Sequence, residues 1–444
     1  MDPAALYNQL VEAEPSAARD QWESLVDAFG RRGITFDGAP MRSFLRPDLV
    51  PRPVWDELRR SGERLLSIAS RVARCAFEGD AARLCGWLGL PETHARWIVQ
   101  DPGEPDVVLS RLDAFLTPDG PRFIEVNSDA PAGFGYGDRM AEAFEELPVF
   151  RAFAARVPVA YERSANPLVE AVVRAGKARR GAAGSPVVAI VDWAEVKTRA
   201  DQELLRRHFE DAGVRCLLAD PRELLVREGR LRCGDVALDV VYRRGVLSEL
   251  VEKESEVAGF FEAYERGLAV FVNSFRCQLS EDKAFFALLT DEAFAELLTE
   301  EEGAFVRRLV PWSRKVEERF TRKDGDSVDL LPYIIANRER LVLKPAHGYG
   351  GRSVFIGDET KPAAWEAAVR AGLGQAWIVQ ERVTIPEGQF PVFEGDALNF
   401  ESLKVNTNPF HVAGAEVGAV TRVSRSSVIN VSAGGGSLPT FVVG

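Results

Sequence analysis

Long apolar runs, paired cysteines and surplus positive charge are all missing from this chain of 444 residues. No apolar stretch approaches the roughly 20 residues that span a bilayer. The opening MDPAALYNQLVEAEP has no basic segment followed by an apolar core, so a signal peptide is not expected either. The five cysteines (Cys75, Cys85, Cys216, Cys233, Cys277) show no C-x-x-C spacing, and an odd count suits reduced thiols better than a disulfide framework. A cytoplasmic protein without a membrane partner is the simplest expectation. The formal charge of −12 argues against nucleic acid, whose phosphates need a basic surface; small anions stay open to local Arg and Lys. The four histidines (His94, His208, His347, His411) form no metal-ligand spacing. No Ser or Cys stands in a G-x-S-x-G context, so a hydrolase triad has little support.

What is present is an ordinary globular composition, 46% hydrophobic and 27% charged, in a chain long enough for two or three domains. Residues 1–155 read as an N-terminal helical region followed by a polar hairpin. Residues 156–277 alternate strand and helix (VVAIVDW, TRADQELLRRHFEDAG, VRCLLAD, ALDVVYRR), which predicts a parallel, doubly wound α/β domain. Its first turn, DWAEVK, lacks G-x-G-x-x-G, so NAD is not expected there. Residues 278–444 mix strands and helices without regular repetition and suggest α+β, with a helix over SEDKAFFALLTDEAFAELL.

Two stretches carry polar groups where a sheet prefers apolar ones. In RLDAFLTPDGPRFIEVNSDAPAGFGYGD, residues 111–138, alternation puts Arg111 and Asp113 on one strand face and Glu125 and Asn127 on another. A two-residue loop at Pro118-Asp119 would set Asp113 opposite Ile124 and split the four groups. A three-residue loop, Pro118-Asp119-Gly120, instead pairs Asp113 with Glu125 and Arg111 with Asn127. Facing carboxylates roughly 5 Å apart at Cβ need something positive between them. Two carboxylates and an amide oxygen suit Mg²⁺, and Arg111 beside them would reach a phosphate; the alternative is a solvated face with an Arg–carboxylate pair. The glycine-rich SDAPAGFGYGD that follows favours close approach to a ligand.

In LVLKPAHGYGGRSVFIG, Lys344 interrupts an apolar strand, and an ammonium there calls for an anionic partner. Gly348, Gly350 and Gly351 supply a loop whose N–H groups can approach phosphate, although the sequence is not a Walker A motif. Lys283 is undecided between solvent and site. WIVQERV turns polar at Gln380-Glu381, fit either to offer backbone groups to an adenine edge or to be a plain edge strand. Arg422 is a surface charge or an anion ligand.

The order of these motifs resembles the circularly permuted ATP-grasp ligases, in the branch that includes glutathionylspermidine synthetase. There an R-x-D followed by E-x-N precedes the nucleotide-binding lobes, as RLD and EVN do here. The resemblance implies an α/β and α+β multidomain ATP-grasp fold with a doubly wound pre-ATP-grasp-like domain. It also implies ATP and Mg²⁺, with Asp113, Glu125 and Asn127 as metal ligands and Arg111 on the terminal phosphate. By the same likeness, Lys283 and Lys344 bind phosphate and HGYGGRS, including Gly348, Gly350, Gly351 and Ser353, covers it. Gln380, Glu381 and Val383 form the adenine hinge, Arg422 steadies the transferring phosphoryl group, and Ser128 and Asp129 face the substrate. The activity implied is amide-bond formation from small carboxylate and amine substrates through an acyl phosphate. A phosphotransferase and a non-catalytic nucleotide-binding module are the alternatives. The SDAPAGFGYGD loop and an acidic insert between Lys283 and Lys344 depart from the branch, so the resemblance extends to ATP but not to glutathione or spermidine.

Overall fold

The computed structural model describes residues 2–100, 106–180, 184–348, 353–395, 397–431 and 434–444. Two helices, Pro3–Ala13 and Pro15–Arg32, precede strand β1 (Asp48–Pro51) and the long helix α1 (Arg52–Cys75). The hairpin β2 (Leu109–Thr117) and β3 (Gly120–Asn127) leads to α2 (Phe134–Glu145). Then come β4 (Val188–Val191), α3 (Arg199–Asp211), β5 (Cys216–Ala219), β6 (Val240–Arg243) and β7 (Val270–Val272). The short helix α4 (Gln278–Glu281) and α5 (Lys283–Thr290) follow, then β8 (Ser313–Lys315), β9 (Leu341–Pro345), β10 (Phe355–Ile356) and β11 (Trp377–Glu381). The chain ends in β12 (Glu387–Glu394), β13 (Ala397–Val412), β14 (Ala415–Ser424) and β15 (Gly436–Val443).

These strands fall into three sheets, the larger ones among the described residues. β4 to β7 form a parallel sheet in the order β7-β6-β4-β5, the doubly wound arrangement expected from the βα alternation. β8 to β11 form an antiparallel sheet, β8-β11-β9-β10, over a small core of Leu341, Leu343, Val379 and Trp365. The largest sheet runs β1-β15-β14-β13-β2-β3, so the early hairpin completes a sheet whose other central strands lie at the far end of the chain. Helix α1 exists to cover one face of it: Trp55, Leu58, Leu65, Ile68 and Val72 recur at helical spacing and pack with Leu112, Ala114, Phe123 and Val126 in one core.

The hairpin reaches its expected pairing by another route. The loop is two residues, since Thr117 pairs with Gly120 and Ala114 with Phe123. A bulge then intervenes, and beyond it Asp113 pairs with Glu125 and Arg111 with Asn127. Ile124 is the extra residue, which turns Glu125 back onto the face of Asp113. The three-residue loop is therefore corrected to a tight turn plus a bulge.

The helix expected over SEDKAFFALLTDEAFAELL also breaks. Asp282 leaves helical backbone, with φ −53° and ψ 134°, and its carboxylate caps α5 by accepting from Ala284 N at 2.8 Å. That break makes Lys283 the first residue of α5.

Candidate active site

The polar face of the large sheet is assembled from both ends of the chain. β13 adds Asn406 and Asn408, and β14 adds Arg422, which pairs in register with Asn406. Arg422 donates from Nε to Asn408 Oδ1 at 2.8 Å and from Nη2 to Asn406 Oδ1 at 2.8 Å, and it is ion-paired with Asp113 Oδ2. Asp113 Oδ1 accepts from Asn127 at 3.2 Å and Asn408 at 3.1 Å, with Arg111 Nε at 3.4 Å. Burial alone would raise the Asp113 carboxyl; Arg422 and Arg111 overcome it and hold the group below its ordinary 3.8. The sequence left Arg422 open, and the structure puts it on Asp113.

Glu125 has a different partner. Lys283, the first residue of α5, places Nζ 2.8 Å from Glu125 Oε1 and donates to the carbonyl of Gly348 at 2.8 Å. Burial would lower the ammonium, but Glu125 outweighs it and holds Lys283 above its ordinary 10.5. The facing carboxylates thus already have cations: two guanidinium groups on Asp113, one ammonium on Glu125. Among the described residues no hydrogen bond reaches Glu125 Oε2 or Asn127 Oδ1. Those two oxygens fit a hard cation, whereas Asp113 already faces four donors, three on Oδ1 and Arg422 on Oδ2.

Lys344 points from β9 toward the same place. Its Nζ donates to the carbonyl of Ile124 at 3.2 Å and to Gln380 Oε1 at 3.0 Å, two neutral acceptors. Burial, only partly offset by Glu125, pulls this ammonium down to about 8. An anionic partner for it is not supplied by the described residues.

Gln380 and Glu381 need correction. β11 is a central strand, held by β8 on one side and β9 on the other, so the edge-strand alternative falls. The Gln380 side chain bridges Lys344 to Ser313 Oγ at 3.0 Å, and Glu381 N–H is taken by Trp312 O at 2.7 Å. Val383, by contrast, lies in the strandless link to β12, and its backbone has no backbone partner among the described residues. A cleft of about 370 Å³ beside this link is lined by Arg340, Glu381, Arg382, Thr384, Ile385 and Lys404. Lys404 shares the strand face of Asn406 and Asn408, so the cleft continues along the same face as the carboxylates.

At the root of the glycine-rich loop, His347 binds Asp282 through Nδ1 and Gly89 O through Nε2 at 2.9 Å. Burial works against its protonation, but the Asp282 carboxylate raises its pKa above the ordinary 6.5. Gly348 takes a φ of +101°, open to glycine at little cost, and Ser353 is exposed. Gly350 and Gly351 lie outside the described residues.

Ser128 and Asp129 are not where a substrate could reach them. Both are buried: Asp129 is ion-paired with Arg243 and accepts from Leu247 N at 3.0 Å. Glu281 accepts from Ser128 N at 2.6 Å, from Ser128 Oγ at 3.1 Å and from Asp129 N. Burial, reinforced by Asp129, pushes the Glu281 carboxyl up to about 8.

The rest of the glycine-rich segment docks on the parallel sheet. Arg244, after β6, donates to the carbonyls of Ala130 at 2.6 Å and Pro131 at 2.5 Å. Asp201 of α3 accepts from the N–H groups of Gly133, Gly135 and Tyr136 at 2.9 to 3.2 Å, satisfying the start of α2. The crevice between β4 and β6 is the topological switch point, where such sheets ordinarily take a ligand, and here the chain's own loop fills it. Glycine is needed for contact with protein: a Cβ at Gly135 would lie 2.4 Å from the Asp201 carbonyl oxygen.

Sequence reasoning missed Glu281, Arg243, Arg244, Asn406 and Asn408. A signal existed for two of them, the period-two N-T-N within KVNTNPF. Arg243-Arg244 follow an apolar strand and read as surface charge without knowledge of what docks there.

No family model matches the chain. An uncharacterized protein of Mycobacterium tuberculosis is 26% identical over 482 aligned positions, covering 99% of this chain and 81% of that protein. A Frankia alni protein bearing the name of a glutamate–cysteine ligase is 33% identical over 118 residues, 25% of this chain and 13% of its own length. Among solved structures, a glutathione synthetase-like effector from Globodera pallida, in its apo form, aligns over 100% of this chain and 98% of its own at 12% identity, with a TM-score of 0.59. At that identity the likeness speaks for fold alone, an α/β multidomain one.

Proposed function

We propose that this protein is an ATP-dependent carboxylate–amine ligase of the circularly permuted ATP-grasp type. The observation that carries the reading is the convergence of Lys283, Lys344, Glu125, Asp113, Arg111 and Arg422, drawn from four separate stretches of the chain, on the space between two sheets. That space holds two ammonium groups, two guanidinium groups and two carboxylates, a composition suited to a polyphosphate with its cation. The names carried by the Frankia and Globodera proteins point the same way, toward joining amino-acid-like substrates.

In this reading a substrate carboxylate oxygen attacks the γ-phosphorus and ADP leaves. A substrate amine then attacks the acyl carbon, and phosphate leaves. Mg²⁺, when bound, neutralises phosphate charge; Glu125 and Asn127 would hold it. Asp113 would complete the set, and Arg111 and Arg422 beside it would face the phosphoryl group. Lys344 waits with neutral acceptors and pairs with phosphate when nucleotide enters, while Val383 offers backbone groups to the purine from the adjoining cleft. Preorganised cations around the transferring group supply the catalytic stabilisation.

The test is phosphate release from Mg·ATP against pooled amino acids, short peptides and polyamines, with mass spectrometry of the products and Glu125→Gln as control. Release that requires both a carboxylate and an amine, with the mass of their condensate, is the expected result. A phosphorylated product that never condenses would make the protein a phosphotransferase.

A further inference from the structure

Three consecutive residues grip three different parts of the site. Lys283 holds Glu125 and the Gly348 carbonyl, Asp282 holds His347 and caps α5, and Glu281 holds the backbone just after Asn127. The first two touch groups already assigned to phosphate and metal. Glu281 does not, and the function described above makes no use of it.

Its geometry is nonetheless specific. A single oxygen, Oε2, receives the successive N–H groups of Ser128 and Asp129 and the Ser128 hydroxyl, the converging-donor arrangement that ordinarily cradles an anion. The other side of the same peptide is fixed as well, since Asn273 Nδ2 donates to Ser128 O at 2.6 Å. β3 is the edge strand of its sheet and ends at Asn127, so among the described residues no further strand holds Asn127 from outside. The direction in which Asn127 leaves the strand is therefore set by what anchors residue 128.

We propose that Glu281 is a positioning residue that fixes Asn127, and through it the cation-binding oxygens, relative to Lys283 two positions later. The inference rests on the ligase reading for the identity of the cation and nucleotide. The required property is hydrogen-bond reach, so glutamine, with an acceptor oxygen at the same distance, replaces Glu281, while aspartate, one methylene shorter, does not.

The experiment compares Glu281→Gln, Glu281→Asp and Glu281→Ala in the full chain. Calorimetry measures ADP affinity with and without Mg²⁺, and steady-state assays give the Mg²⁺ concentration at half-maximal phosphate release. Groups that orient metal ligands typically alter metal affinity or activity about 10- to 100-fold when lost. Glu281→Asp and Glu281→Ala are expected to raise the half-saturating Mg²⁺ by about that factor while metal-free ADP affinity stays within about twofold, and Glu281→Gln to follow wild type. A merely structural role would lower stability without separating the two affinities. Wild-type behaviour of Glu281→Asp, or a folded Glu281→Gln as impaired as Glu281→Asp, overturns the inference. If Glu281→Ala fails to fold, the Gln and Asp variants decide. A wild-type chain that binds no Mg·ADP overturns the ligase reading and this inference with it; binding by wild type with an indifferent Glu281→Asp overturns this inference alone.

Discussion

Lys344 Nζ donates at 3.2 Å to the carbonyl of Ile124, the residue that the hairpin bulge leaves without a cross-strand partner. One irregularity thus restores the register of Asp113 with Glu125 and exposes a carbonyl that aims an ammonium at them. Because Lys344 is buried against neutral acceptors, Lys344→Met is expected to leave stability within about 1 kcal/mol of wild type, as apolar replacements of buried charge often do. ATP affinity by calorimetry should fall at least about tenfold, the loss of roughly 1.4 kcal/mol from one charged contact. Unchanged affinity would remove Lys344 from the site.

The same lysine gives a pH dependence. Folding lowers its pKa from 10.5 to about 8, so the unfolded chain holds more protons between those values and stability should rise with pH across that window. Nucleotide needs the charged form, so binding near pH 8 should take up a proton and weaken as pH climbs further. Calorimetry in buffers of different ionisation enthalpy reads that proton directly, and identical heats in all buffers would count against it.

Glu125 is partly exposed, and glutamine keeps an acceptor oxygen for Lys283, which also donates to the Gly348 carbonyl, so Glu125→Gln should fold and melt within about 1 kcal/mol of wild type. Mg²⁺-dependent phosphate release should nevertheless be abolished. A fully active variant would refute Glu125 as a cation ligand.

Gly135 tests the docking of the glycine-rich segment. An alanine there meets the Asp201 backbone oxygen at 2.4 Å and its carboxylate at 2.9 Å, and backbone cannot swing aside as a side chain can. Overpacking of this kind costs about 1 to 3 kcal/mol. Urea denaturation of Gly135→Ala should show the midpoint lowered accordingly; an unshifted midpoint would mean the segment is looser than its contacts indicate.

How much of this was legible beforehand differs by residue. Period-two alternation places Arg111, Asp113, Glu125 and Asn127 on shared faces whatever the partner strand, and βα alternation yields the parallel sheet, because both follow from short-range periodicity. The bulge at Ile124 was not legible: a two-residue turn and a three-residue turn both fit Pro118-Asp119-Gly120, and only packing of Phe123 and Val126 under α1 decides. Arg111 stands two residues from Asp113, but the other cations on Asp113 and Glu125 come from residues 422 and 283, separations that no local pattern spans. The glycines of residues 133–137 were read as space for a ligand, and the same lack of Cβ serves equally to admit Asp201 and, at Gly137, the Tyr161 hydroxyl.

Asp113 separates structural from catalytic charge. It sits buried between Arg111 and Arg422, with Asn127 and Asn408 also donating to Oδ1, so Asp113→Asn leaves two guanidinium groups without their counter-ion. Breaking a buried pair from one side costs about 3 to 5 kcal/mol, far more than Glu125→Gln should. The pH profile carries the sign. Folding holds this carboxyl below its ordinary 3.8, so its contribution is complete above that value and is lost as pH falls through the depressed one. The melting temperatures of wild type and Asp113→Asn should therefore stand well apart at pH 7 and converge in acid. A gap that persists undiminished at the acid end would show that the charge on Asp113 is not what holds the two arginines.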